Sequence, residues 1–149
     1  MSKSNSLEDG LLKLIFTNTT LALIGDATGL VGSTSAGSLY LSLHTADPGE
    51  AGDQTTSEAT YGSYARVAVA RTSGGWTVSG TAPTQVVNAA LVSFPQCTSG
   101  SNTVTYFGIG TASSGAGKLL YSGALTSSLA VSTNITPQFA IGAIQITED

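Results

Sequence analysis

The chain has 149 residues, a formal net charge of −4 and charged side chains at only 9 % of positions, far below the roughly 25 % of an ordinary globular domain. The length fits one domain around a single core. Five Lys and Arg against nine Asp and Glu make no basic stripe, so no nucleic-acid partner is expected. No apolar run reaches the roughly 18 residues of a membrane-spanning helix, so no membrane partner is expected. The polar, acidic N-terminus lacks the basic-then-apolar order of a signal peptide, which implies synthesis in a cytoplasm. A single cysteine, Cys97, excludes an internal disulfide and a cysteine-based metal site. The surface implied by 18 glycines and abundant Ser and Thr is polar but hardly charged, which permits self-association across charge-poor interfaces.

In chain order, Ser6 is a candidate cap for a short helix whose first turn holds Glu8 and Asp9. Leu11, Leu12, Leu14, Ile15 and Phe16 supply its buried face, while Gly10 and the β-branched run from Thr17 to Thr20 weaken it and keep it short. Residues 21–24 suggest a brief strand and 25–37 a Gly-, Ser- and Thr-rich loop. These 38 residues form an N-terminal arm, and residues 39–149 a β-domain. In Leu39–Leu43 the leucines share one face, with Tyr40 and Ser42 on the other. Residues 64–70 alternate as well, placing Ala65, Val67 and Val69 inward and Tyr64 and Arg66 outward. Further strands are expected over 76–79, opened by a half-buried Trp76, and over 85–94, 103–109, 118–121 and 129–135. In the last segment, Phe139 and Ile141 share a face with Ile144 and Ile146 only if a bulge sits at Gly142–Ala143; otherwise the strand is buried on both faces. About eight short strands imply a mainly β fold, a β-sandwich of which the jelly roll is one form, with a short N-terminal helix.

Chemistry concentrates between residues 44 and 71. This stretch holds the only histidine, both arginines and four acidic residues, Asp47, Glu50, Asp53 and Glu58. Ser42, His44 and Asp47 superficially suggest parts of a catalytic triad, but no Gly-x-Ser-x-Gly elbow accompanies them, and no enzymatic activity is expected. The acidic residues lack the alternate spacing of a calcium loop, so neither a metal nor another cofactor is expected. Asp47-Pro48-Gly49 is a turn that fixes how the acidic loop leaves its strand. Tyr61, Tyr64 and Trp76 are either interface anchors or core residues. The interface candidates are therefore His44, Asp47, Glu50, Asp53, Glu58, Tyr61, Tyr64 and Arg66.

Several segments together resemble one family. These are residues 39–52 (LYLSLHTADPGEAG) and 61–69 (YGSYARVAV), then 88–95 (NAALVSFP) and 104–110 (VTYFGIG), and finally 119–125 (LLYSGAL) and 136–144 (TPQFAIGAI). The chain is similar to a family of small virion structural proteins of tailed bacteriophages, variously described as tail-fibre-like, minor capsid or head-decoration proteins. The resemblance brings no catalytic residues. It implies a non-enzymatic place in the virion, and the chain has neither the repeats nor the length of a fibre shaft. A compact, charge-poor domain suits a cement protein on the capsid exterior, with the major capsid protein as partner. Such a protein stabilises the head by binding the outer face of the assembled lattice. It is expected to form a homodimer or homotrimer matching local lattice symmetry. The alternative is a tail-fibre or baseplate component that binds host-surface glycans.

Overall fold

A computed structural model describes residues 2–80 and 83–148. The fold is mainly β, 38 % strand against 9 % helix, with one short N-terminal helix as expected. The elements are α1 (Asn5–Thr17), β1 (Ser38–His44), β2 (Val67–Ala70), β3 (Trp76–Ser79), β4 (Thr84–Asn88), β5 (Val92–Ser93), β6 (Ser101–Gly110), β7 (Leu119–Ser132), β8 (Gln138–Phe139) and β9 (Gln145–Glu148). They form a four-stranded sheet in the order β2-β1-β6-β7, a three-stranded sheet β3-β4-β9 and a two-stranded pair β5-β8. The chain divides into two compact units. One draws on the described parts of 1–38, 70–91 and 139–149, the other on 39–69 and 92–138.

In the first unit α1 packs against β3, β4 and β9. Its cap is Ser4 rather than Ser6. Ser4 has the extended backbone a cap requires, and its hydroxyl accepts from Leu7 N–H at 3.4 Å. Gly10 is tolerated inside the helix because the Leu21 side chain lies where a Cβ would project. Asn18, in the left-handed conformation, ends the helix. Leu12, Phe16, Trp76, Val86, Ile144 and Ile146 are buried, and the Phe16 and Trp76 rings meet edge to face at 4.8 Å. Trp76 is fully buried, not half-buried, because α1 lies against the strand it opens. Of the strand expected over residues 21–24, only an isolated bridge between Leu21 and Leu30 forms.

The segment from Phe139 to Ile146 resolves into neither expected alternative. It breaks into β8 and β9 around a turn, in which Gly142 takes φ +74° and Ile141 is exposed. Buried Asn88 holds that turn. Its amide donates to Ala90 O and Ala140 O, each at 2.8 Å, and its carbonyl oxygen accepts from Ile144 N–H at 2.9 Å. The strand expected over 85–94 is likewise interrupted after Asn88, which bonds around the corner instead of continuing the ladder.

In the second unit the buried set includes Leu39, Leu41, Leu43, Ala59, Phe94, Cys97, Val104, Ile109 and Val131. β1 and β6 run antiparallel, with Ser42 opposite Gly108 and His44 opposite Tyr106. The expected outward face of β1 is also buried at Ser42 and His44, because the following loop folds back on that end of the strand. The segments expected at 118–121 and 129–135 are one 14-residue strand, β7, paired with β6 through two shifts of register. β2 begins only at Val67, and residues 64–66 precede it. Ala65 is exposed while Tyr64 and Arg66 turn inward, opposite to the expected alternation, because both side chains have polar partners inside the unit.

Candidate functional site

The candidate residues occupy the loop between β1 and β2, and the structure divides them into a buried network and an exposed rim. His44 lies at the end of β1. Its Nδ1 is 2.8 Å from Thr56 O, a carbonyl that can only accept, so Nδ1 carries the proton. In the neutral ring Nε2 then accepts from the Ser42 hydroxyl, also at 2.8 Å. Burial holds the His44 pKa below its ordinary value, opposed by the bond to Thr56 and by nearby Glu58. The Ser–His contact is sealed from solvent. Ser42 and His44 are both fully buried, and a Cβ on Gly108 would come within 2.6 Å of each. That corner accommodates only glycine.

Glu58, Tyr64 and Arg66 form one cluster. Arg66 grips Glu58 with two bonds, Nε to Oε1 at 2.6 Å and Nη2 to Oε2 at 2.8 Å. Its side chain is 2 % exposed and that of Glu58 16 %. The guanidinium also donates to Ala112 O and Gly115 O, in the turn between β6 and β7. Tyr64 donates its hydroxyl hydrogen to Glu58 at 2.9 Å and accepts from Leu43 N–H at 3.0 Å. Bonding to the Glu58 carboxylate raises the Arg66 pKa, and burial raises that of Tyr64 far above the phenol range. The Tyr61 ring meets Tyr64 edge to face at 5.2 Å, and Tyr64 stacks on Phe94 at 6.3 Å. Burial pushes the Tyr61 hydroxyl up to about 12, and the group donates to Pro95 O. This part of the loop is therefore braced to β1, to the β6–β7 turn and to the segment after β5.

Asp47, Glu50 and Asp53 stand apart from that network. Asp47 Oδ1 accepts from Gly49 N–H, closing the expected turn, with Gly49 at φ +69°. Asp53 accepts from the hydroxyl and the N–H of Thr55, the hydroxyl bond chiefly holding its carboxyl below the usual range. Asp47 and Glu50, with Gly49 and Gly52, face Leu119–Ser122 across an open cleft of about 440 Å³. Among the described residues, no group of three or more His, Cys, Asp and Glu side chains is placed to hold a metal ion.

Sequence reasoning missed two side chains that anchor the loop. Gln54 is fully buried between Gly110 and Gly117 and accepts from Ala112 N–H at 2.9 Å. Asn102 accepts from both Thr60 and Tyr61 N–H at 2.8 Å. Neither lies in an apolar or charged pattern. The glycines on either side of the 111–116 turn were the one available hint that a side chain enters there.

These polar contacts brace the 44–66 loop against the strands and turns of its β-rich unit. The family model described as podophage GP4 fiber I protein gp80 matches residues 2–147, and the chain belongs to that family. It is a bacteriophage virion structural protein. No curated protein matches the chain. The resemblance to small phage virion proteins thus holds at the level of class, while the family description names a fibre protein and not a decoration protein.

Proposed function

We propose that this chain is a non-enzymatic component of the phage tail-fibre apparatus, assembling with other virion proteins and with copies of itself. The observation that carries this reading is the family match over residues 2–147, whose description is that of a fibre protein. The braced 44–66 loop supports it: a module that bears load or presents a surface needs loops fixed by internal bonds. As the part facing the host, it would offer exposed hydroxyls and the acidic rim of Asp47 and Glu50 to surface glycans.

A second reading, a head-decoration protein on the major capsid lattice, is favoured by the scarcity of charge, 9 % of residues. Such a surface suits extensive static interfaces. Cryo-electron microscopy of whole virions separates the two. The fibre reading expects density for this chain at the tail in a small, fixed copy number. Density repeated over the capsomers, in hundreds of copies, would replace it with the decoration reading.

A further inference from the structure

β7 is an edge of its sheet, since the order β2-β1-β6-β7 leaves its outer side without a strand neighbour among the described residues. An edge strand presents unpaired backbone donors and acceptors, and chains ordinarily protect it with charge, proline, brevity or a bulge. The opposite edge, β2, is four residues long and lies between Arg66 and Arg71. β7 has 14 residues, no proline and no charge. Its one protection is irregularity. The ladder with β6 shifts between Val104 and Tyr106 and again at Ile109–Gly110, the second shift leaving Leu120 as an extra residue between Leu119 and Tyr121. Leu120 is 39 % exposed, and Ser122 and Ala124 are exposed beside it.

Unmatched charges flank this end of the strand. Lys118, immediately before β7, is exposed and has no carboxylate partner among the described residues. Asp47 and Glu50, which border Leu119–Ser122, have no cationic partner among them either. One occupant answers to both the backbone edge and the charges: a second copy of this chain.

We propose that two copies pair antiparallel through the start of β7, Leu119–Tyr121, with the twofold axis near Leu120. In that register Leu120 meets Leu120, and each Lys118 stands opposite Ser122 of the other copy. Strands in a sheet lie about 4.8 Å apart, so the lysine comes within reach of the other copy's Asp47–Glu50 cleft. The twofold makes the ionic contact twice, and an isologous pair closes at two copies. The contact is small, so the expected solution Kd is in the micromolar range. It becomes effectively saturated where copies are held side by side in a particle. The inference goes beyond the fibre assignment and does not depend on it.

Sedimentation velocity on the full chain, up to about 100 μM, tests the pairing. A concentration-dependent dimer is expected. Leu120→Lys should remove it, with an unchanged circular dichroism spectrum and melting temperature showing that the fold survives. Lys118→Glu should raise the Kd roughly tenfold, and Lys118→Glu combined with Glu50→Lys should restore it. Leu120→Cys should give a disulfide-linked dimer under mild oxidation, which buried Cys97 alone should not. A chain that stays monomeric throughout overturns the proposal. So does a dimer or trimer indifferent to Leu120→Lys and to the charge exchange. Virion imaging is a separate test, so failure here leaves the fibre reading standing.

Discussion

Removing either partner of the Glu58–Arg66 pair leaves the other charge largely shielded from water, since the arginine side chain is 2 % exposed and the glutamate side chain 16 %. Loss of one member of a buried pair costs about 3 to 5 kcal/mol. Arg66→Met should therefore lower the melting temperature by roughly 10 °C. Replacing both residues by methionine should recover part of that loss, and thermal denaturation of the three variants checks it. His44 governs a second, pH-dependent term. Its folded pKa is lowered by burial, so the unfolded chain binds the proton more readily. The stabilisation is fully present above the ordinary imidazole value of 6.5 and declines as pH falls through it. Because His44 is the only histidine, melting temperature should fall between about pH 7.5 and about pH 5.5, and in His44→Gln it should be nearly flat there. An equal slope in that variant would remove the assignment.

At the scale of elements, α1 depends on a residue far from it in sequence. Arg71 donates to Leu14 O and Ile15 O, each at 2.6 Å, and to Ala36 O at 3.2 Å. These satisfy carbonyls that a helix end leaves open and place a cation at the negative end of the dipole. Arg71→Ala should cost about 1 to 3 kcal/mol, and hydrogen exchange should rise first in the last turn of α1. Much at this scale was legible in the sequence. Leu39–Leu43 and Trp76–Ser79 are strands because apolar alternation and flanking Gly and Ser marked them. The breaks after Asn88 and at Gly142 were not legible, since they depend on one buried amide bonding across 52 residues to Ala140. The inward turn of Tyr64 and Arg66 was misread for a similar reason. Period-two reasoning assigns a charged residue to solvent, whereas Glu58 supplies a partner that periodicity cannot see. The loop's chemical importance showed in its concentration of charge, but its role as a brace required Gln54 and Asn102, which carry no local signal.

At the scale of the whole molecule, scarcity of charge is the property that composition conveyed most directly. Its distribution matters more than its amount. Arg66 and Glu58 are consumed by an internal pair, so the surface charge of the second unit reduces to Lys118 at the head of β7, the acidic cleft beside it and Asp53. Raising ionic strength from about 0.05 M to about 0.5 M should therefore weaken the proposed pairing of copies while leaving the melting temperature nearly unchanged. Exposed pairs are screened and buried ones much less. Melting curves and sedimentation at the two salt concentrations check this. Parallel losses of association and stability would contradict the separation between brace and rim.

The first unit is assembled from three separated stretches of chain, with α1 resting on β3, β4 and β9. On a translating ribosome the helix emerges long before β9 exists, so its apolar side, Leu12 and Phe16 included, has no complete seat during most of synthesis. The second unit is interrupted only once, by residues 70–91, and has almost all of its strands by the time β7 is made. The order of birth and the order of completion are thus reversed: the first-made helix is among the last parts to be secured. Nascent-chain proteolysis at increasing lengths should show the second unit resisting cleavage before α1 does.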